Sequence, residues 1–155
     1  RMPVAIMAMG IVFNLLNGMM QAGGLFYFAP EGLYADGWAY LLKPHALLGV
    51  ILFFAGMFVN LHSDYVIRHL RKPGDTKHYL PGKGLYRYVT SANYFGELVE
   101  WTGFAILTAS PAAWVFVWWT FANLVPRADA ILRRYREEFC DEAVLYLKRI
   151  IRFLY

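Results

Sequence analysis

The sequence predicts an all-α fold, a polytopic transmembrane helical bundle with about four spans followed by an amphipathic helix. Hydrophobic residues make up 59% of the chain and charged residues 17%, compared with about 45–50% and 25% in a typical soluble domain. The apolar residues also occur in long runs. Residues 2–30 contain no charged side chain, and residues 98–125 contain only Glu100. Because a helix needs roughly 20 apolar residues to cross a bilayer, these runs indicate membrane helices and exclude a soluble domain.

Breaks in the apolar pattern indicate where the helices end. We predict four spanning helices, at residues 3–29, 45–61, 90–109 and 112–125. The last two are separated at Ser110-Pro111 because proline is a poor fit inside a helix. Residues 62–72 keep a helical pattern while becoming polar, so the second helix is expected to leave the bilayer there. Glycine and proline make 73–87 a loop, and 127–149 has the spaced apolar residues of an amphipathic surface helix.

Basic residues are distributed unevenly between the loops. Loop 62–88 contains six Lys or Arg against two Asp, whereas segment 30–42 contains two acidic residues and no basic one. By the positive-inside rule, loop 62–88 and the C-terminus face the cytoplasm, and 30–42 lies on the opposite side. The predicted location is the bacterial inner membrane or the endoplasmic reticulum. Membrane orientation accounts for the basic residues, so we expect contact with membrane lipids and no nucleic-acid partner.

One set of polar residues lies on a single face of the second helix, with spacings of four, four and three: Asn60, Asp64, Arg68 and Arg71. Polar groups at membrane depth are costly and are therefore functional candidates. The alternative is a helix end that reaches into water, with Asp64 and Arg68 forming an ion pair across one turn. The sequence leaves both interpretations open.

A second polar set follows the third helix, with spacings of four and three: Asn93, Glu97 and Glu100. Buried carboxylates need partners, and Glu97 has no basic residue within one turn. Its partner must therefore come from another helix or from a ligand. Packing against the basic stripe is the alternative. On the first helix, Asn14, Asn17 and Gln21 are interpreted as interhelical hydrogen-bonding groups or as ligand contacts.

Arginines of the cytoplasmic loop and tail suit the binding of phosphates, because their planar forks make paired hydrogen bonds. Arg127, at the end of the last predicted span, is well placed for this. Contact with acidic lipids is the alternative. The histidines lack the spacing of a metal site, and no nucleophile triad, P-loop or GxGxxG motif is found. We therefore assign no metal ligand, and any nucleotide must bind without a Rossmann unit.

Two long motifs resemble those of the steroid 5-alpha-reductase family. They are Asn60-Leu-His-Ser-Asp-Tyr-Val-Ile-Arg-His-Leu-Arg-Lys-Pro-Gly-Asp75 and Pro81-Gly-Lys-Gly-Leu-Tyr-Arg-Tyr-Val-Thr-Ser-Ala-Asn-Tyr-Phe-Gly-Glu-Leu-Val-Glu-Trp101. The resemblance implies a seven-helix membrane enzyme, of which residues 1–155 are a single reductase domain matching the C-terminal two-thirds and lacking the first helices. It also implies that NADPH binds from the cytoplasmic side.

The resemblance continues through the loop between the motifs and, more weakly, from Arg127 to Tyr135. By position in this family pattern, with the neighbouring Arg68, it implies these candidate cofactor-binding residues: Asn60, Asp64, Arg68, Arg71, His78, Asn93, Glu97, Arg127 and Tyr135. His78 stands where the family has a tyrosine, and Ile131 stands where it has a histidine. Glu100 is matched too, and we interpret it as structural support.

The resemblance implies NADPH-dependent reduction of the C4–C5 double bond of 3-oxo-Δ4 steroids, by hydride transfer and protonation. The cofactor supplies the hydride, while the protein orients it and polarises the carbonyl. The family residues that contact the carbonyl lie in earlier helices, so we assign no catalytic residue to this chain. The expected partners are a steroid or lipid enone and membrane lipids, and we expect a monomer.

Three other functions stay open at this point. An enoyl-CoA or polyprenol reductase of the same superfamily would share the cofactor site and differ in its lipid pocket. A membrane methyltransferase of the isoprenylcysteine type would bind S-adenosylmethionine instead. A non-catalytic membrane scaffold would leave the costly buried carboxylates without a purpose.

Overall fold

Four α-helices account for most of the residues that the structure describes. The computed structural model describes residues 4–71, 74–75, 79–139 and 150. The helices are α1 Val4–Phe26, α2 Pro44–Arg68, α3 Ala92–Thr108 and α4 Pro111–Glu138. Two short 3-10 helices, Gly37–Leu42 and Gly84–Arg87, lie in the loops, and no β-strand occurs in the part of the chain described. The predicted all-α fold is therefore confirmed.

As predicted, the second helix continues past its apolar residues into the polar ones that follow. It begins with Pro44. Proline is favourable at the first helical position because it lacks a backbone N–H, and an N–H there would have no partner within the helix. It continues through the polar positions to Arg68, and His69 follows as its C-cap. The predicted extension to residue 72 is wrong, because residues 69–71 have turn and bend conformations.

The predicted helix boundary at Pro126 is also wrong. Helix α4 passes through Pro126 and ends at Glu138, so the last span and the amphipathic segment form one helix up to that residue. Proline removes one backbone hydrogen bond and crowds the preceding turn. Leu124 and Ala128, on either side of it, are buried, and α4 packs along α3. Burial therefore outweighs the local preference. Residues 140–149 of the predicted amphipathic helix lie outside the described residues.

Two of the described helices, α1 and α2, are long and apolar enough to cross a membrane. Helix α1 buries only Gly24 and leaves large side chains such as Met9, Leu15 and Met19 exposed. An apolar surface this extensive marks an interaction with lipid or with other apolar surface, and the two helices fit a membrane protein. Helix α3 has 17 residues, and neither it nor α4 meets the same criterion. Two of the four predicted spans, α1 and α2, are therefore supported.

Helices α2 and α3 run antiparallel with their backbones in contact. Four glycines line the contact, spaced by seven residues on each helix: Gly49 and Gly56 on α2, and Gly96 and Gly103 on α3. A Cβ atom at Gly56 would lie 2.2 Å from the backbone nitrogen of Glu100, and one at Gly96 would lie 2.5 Å from that of Asn60. Small residues allow such close approach between membrane helices. The contact brings the polar residues Asn60 and Glu100 together.

The segment between α1 and α2 packs against the C-terminal end of α3. The Tyr40 hydroxyl donates a hydrogen bond to the Leu107 carbonyl oxygen at 2.8 Å, and the Tyr34 hydroxyl donates one to the Thr108 carbonyl oxygen. The last carbonyls of a helix have no partner within it, so these tyrosines satisfy two of them. A contact of 2.7 Å between Lys43 and Asp36 ties the segment to the start of α2.

Candidate functional site

A half-open cleft of about 490 Å³ lies where the polar end of α2, the start of α3 and the end of α4 meet. Four of the residues predicted from sequence line it: Arg68, Arg71, Asn93 and Tyr135. They come from three separate stretches of the chain. The structure thus brings two arginines, an amide and a phenol together around one space large enough for a small ligand.

Asn93 is held by a buried tyrosine. Tyr86 is only 2% exposed and packs in a core cluster with Val66, Val89 and Ala92. Its hydroxyl donates a hydrogen bond to Asn93 Oδ1 at 3.3 Å. Burial raises the pKa of Tyr86 far above its ordinary value, so the hydroxyl keeps its proton at neutral pH. Because its oxygen is engaged in this way, Asn93 offers chiefly its N–H donors to a ligand in the cleft.

Asp64 and Arg68 on α2 form the ion pair that the sequence offered as an alternative to ligand binding. Arg68 and Asp64 form an ion pair with a nitrogen–oxygen distance of 2.6 Å across one helical turn. Both side chains are substantially exposed, 75% and 43% respectively, so the pair contributes only about 0.3–0.5 kcal/mol to stability. Arg68 lines the cleft, whereas Asp64 is not among its lining residues. In this structure Asp64 contacts Arg68 at the edge of the cleft.

Three further predicted residues lie outside the cleft wall, in what we call the deeper polar layer: Asn60, Glu97 and Arg127, together with Glu100. Asn60 shares a side-chain hydrogen bond with Glu100, at the place where the glycines bring α2 and α3 together. Arg127 on α4 interacts electrostatically with Glu97 on α3. A basic residue of another helix thus acts on Glu97 through its charge. Glu97 follows Asn93 by one helical turn, so the layer adjoins the cleft.

His78 lies outside the described residues. Its neighbour Tyr79 lines the cleft, and the Tyr79 hydroxyl donates a hydrogen bond to Asp75 Oδ2 at 2.7 Å. Sequence reasoning missed Tyr79 as a wall residue, although it noted the neighbouring tyrosine position. Thr90, Tyr94 and Arg134 are further wall residues that it missed.

A sequence signal for Arg134 was present. Arg127, Ile131 and Arg134 are spaced by four and three residues, which places them on one face of a helix. All three residues lie within the predicted amphipathic helix 127–149, but the shared face was not used to select Arg134. In the structure, Ile131 and Arg134 both line the cleft.

On the first helix, the interhelical interpretation is supported for Gln21. Its amide nitrogen donates to the backbone oxygen of Ala112 on α4 at 3.3 Å, and it also contacts Asn17 Oδ1 at 3.3 Å. Asn14 bonds within its own helix, to the Gly10 carbonyl oxygen at 2.8 Å. These amides lie on α1, whose contact with α4 is separate from the cleft.

The family model for 3-oxo-5-alpha-steroid 4-dehydrogenase matches residues 1–155. The chain belongs to this family. It is 42% identical over 154 residues to 3-oxo-5-alpha-steroid 4-dehydrogenase 1 of Macaca fascicularis, covering 99% of this chain and 56% of that protein. To the Homo sapiens protein of the same name it is 41% identical over 154 residues, 99% of this chain and 57% of that protein.

Similarity within the 3-oxo-5-alpha-steroid 4-dehydrogenase family extends to plants. The chain is 37% identical over 153 residues to a steroid 5-alpha-reductase of Gossypium hirsutum, covering 99% of this chain and 58% of that protein. It therefore spans a little over half the length of the curated relatives it matches. The resemblance inferred from the two long motifs is confirmed.

Proposed function

We propose that this protein takes part in the NADPH-dependent reduction of the C4–C5 double bond of 3-oxo-Δ4 steroids. The names of its relatives, steroid 4-dehydrogenase and steroid 5-alpha-reductase, describe the two directions of one reaction at that bond. The structural observation that carries the proposal is the cleft, where Arg68, Arg71, Asn93 and Tyr135 converge from three parts of the chain.

The cleft residues fit a phosphorylated dinucleotide. Arginine forks bind phosphate oxygens through paired hydrogen bonds, and Arg68 and Arg71 supply two of them. Asn93 supplies amide donors to a ribose or carboxamide group. Burial raises the pKa of Tyr135, so its hydroxyl remains a hydrogen-bond donor at neutral pH. When bound, a nicotinamide cofactor supplies the hydride, while these side chains bind it and set its orientation.

An apolar groove lies between α1 and α4, and along α4 the position of Arg127 falls between the residues that line this groove and those that line the cleft. Phe13, Leu16, Met20, Phe116 and Trp119 are among the residues lining this groove of about 230 Å³. Along α4, Arg127 follows Trp119 by eight residues and precedes Tyr135 by eight, so each interval is about 12 Å. A polar ligand entering at the cleft and an apolar one held near the groove would meet at the deeper polar layer.

In the proposed reaction, a hydride is added to C5 of the steroid and a proton to C4. The side chains of this chain are proposed to hold the reacting groups at the layer formed by Glu97, Asn60 and Arg127. No residue of this chain is assigned to polarise the steroid carbonyl. Loss of the enone absorbance of a 3-oxo-Δ4 steroid, with matching oxidation of NADPH, tests the reaction. A product that retains the double bond would refute it.

Arg71→Ala is expected to weaken NADPH binding by roughly 10- to 150-fold, because a hydrogen bond to a charged group contributes about 1.5–3 kcal/mol. The wild type should bind NADPH more tightly than NADH, since arginines in the cleft also reach the extra phosphate. Titration of the purified protein with both nucleotides and with S-adenosylmethionine measures this. Arg87→Ala is the matched control, because Arg87 is exposed and bonds to the Gly82 carbonyl oxygen instead.

Equal affinity for NADPH and NADH would contradict the proposed role of the arginines. Tight binding of S-adenosylmethionine without NADPH binding would favour the methyltransferase alternative.

The proposed orientation has four spans, with loop 62–88 and the C-terminus in the cytoplasm. Single cysteines introduced at Asp36 and Lys83, in a Cys140→Ser background, should therefore react with a membrane-impermeant maleimide from opposite sides. Both native side chains lie outside the helices that cross the bilayer, so the substitutions leave the spans intact. Labelling of both positions from one side would rule out this topology.

A further inference from the structure

Two consecutive arginines on α4 have different surroundings. Arg133 forms an ion pair with Asp129 at 2.6 Å and is not among the residues that line the cleft, whereas Arg134 is. Successive residues of a helix point about 100° apart, and of these two arginines Arg134 is the one on the cleft side of α4. The side chains are similarly exposed, 74% and 63% respectively. The two arginines therefore differ in whether they line the cleft, and not in how exposed they are.

Arg134 is held along the wall of the cleft. Its Nε lies 3.5 Å from Oε2 of Glu138, one turn further along α4. A guanidinium group has five N–H donors in a fixed plane, so it can keep this contact and also bind a second anion. The Glu138 contact therefore orients Arg134 and is compatible with ligand binding.

Positive charge from two parts of the chain converges near Tyr135. Arg134 on α4 and Arg71 beyond the end of α2 both act electrostatically on the Tyr135 hydroxyl, and the carboxylate of Glu138 acts in the opposite direction. With Arg68, the wall contains three arginines against one glutamate, Glu138. Like charges that converge on one point repel each other, and an anion bound between them removes that repulsion. The arrangement is therefore suited to a ligand that carries several negative charges.

We propose that Arg134 is a further binding residue of the cleft, pairing with Arg71 to hold a phosphate group of the bound nucleotide. This inference rests on the proposed function. It adds a residue from α4, so that a phosphate would be held from both sides of the cleft. An arginine from each side fixes the position of the phosphate better than two arginines from α2 and its loop alone.

The test compares Arg134→Gln with Arg133→Gln in the purified protein. Titration calorimetry measures the affinities of both variants for NADPH, NADH and adenosine 2′,5′-bisphosphate, and thermal unfolding without ligand checks that both variants are folded. Arg134→Gln should weaken NADPH binding by about tenfold or more, while Arg133→Gln should change it by less than about twofold, as for a surface ion pair. Arg134→Lys should recover part of the affinity, because lysine keeps the charge without the fork.

Equal effects of Arg134→Gln and Arg133→Gln would overturn the inference while leaving the proposed function intact, provided that the wild type binds NADPH. An Arg134→Gln variant that keeps its NADPH affinity but loses affinity for phosphatidylserine nanodiscs, relative to phosphatidylcholine ones, would also overturn it in favour of a lipid contact. A wild-type protein that binds no nucleotide would refute the proposed function as well.

Discussion

Gly56→Ala is expected to destabilise this protein severely. The added Cβ would lie 2.2 Å from the backbone nitrogen of Glu100 and 2.7 Å from its Cα, and backbone atoms cannot move aside as the end of a side chain can. Helices α2 and α3 would have to separate, which would also strain the hydrogen bond between Asn60 and Glu100. Overpacking costs about 1–3 kcal/mol and sometimes more, and we expect the upper end of that range. Thermal unfolding in detergent measures it.

Gly10→Ala is the matched control for this substitution. Gly10 also lies inside a helix, but apart from its own helix backbone no atom of the described residues would lie within 4 Å of a Cβ added there. Alanine is a better helix former than glycine by about 1 kcal/mol, so this variant should be as stable as the wild type or more so. Similar melting temperatures for the Gly56→Ala and Gly10→Ala variants would show that the backbone contact between α2 and α3 is not required.

Asn93→Ala and Glu97→Gln are each expected to lower the affinity for NADPH by roughly 5- to 150-fold, because a lost hydrogen bond to a buried or charged partner costs about 1–3 kcal/mol. Asn93 lines the cleft and is oriented by Tyr86. Glu97 lies one turn deeper and interacts with Arg127. Folding should suffer less than binding in the Glu97→Gln variant, because glutamine keeps the shape of the side chain and removes a costly charge.

Asn14→Ala serves as the control, since Asn14 is exposed and bonds only within its own helix among the described contacts. It should leave the NADPH affinity unchanged. The measurements are nucleotide titration and thermal unfolding of the same preparations. If Glu97→Gln changes the melting temperature while the NADPH affinity stays at the wild-type value, Glu97 has a structural role and the proposed ligand contact is wrong.

The helical faces could be predicted because they depend on local geometry. Residues three or four positions apart share a face on any α-helix, so the polar stripe of α2 was visible before its surroundings were known. The break at Ser110-Pro111 was equally local, and the structure confirms it, with α3 ending at Thr108 and α4 beginning at Pro111. The same reasoning failed at Pro126, where burial of Leu124 and Ala128 keeps the helix continuous.

By itself, the sequence determined the helical class, the apolar stretches, the family and the polar residues that share a helix face, because each of these depends on composition or on near neighbours in the chain. Only the tertiary structure decided which faces meet. The spacing of the glycines becomes meaningful once α2 and α3 lie antiparallel, and Arg134 differs from Arg133 only because one of them faces the ends of α2 and α3. Contacts between residues far apart in sequence depend on how whole helices pack, and no local pattern contains that information.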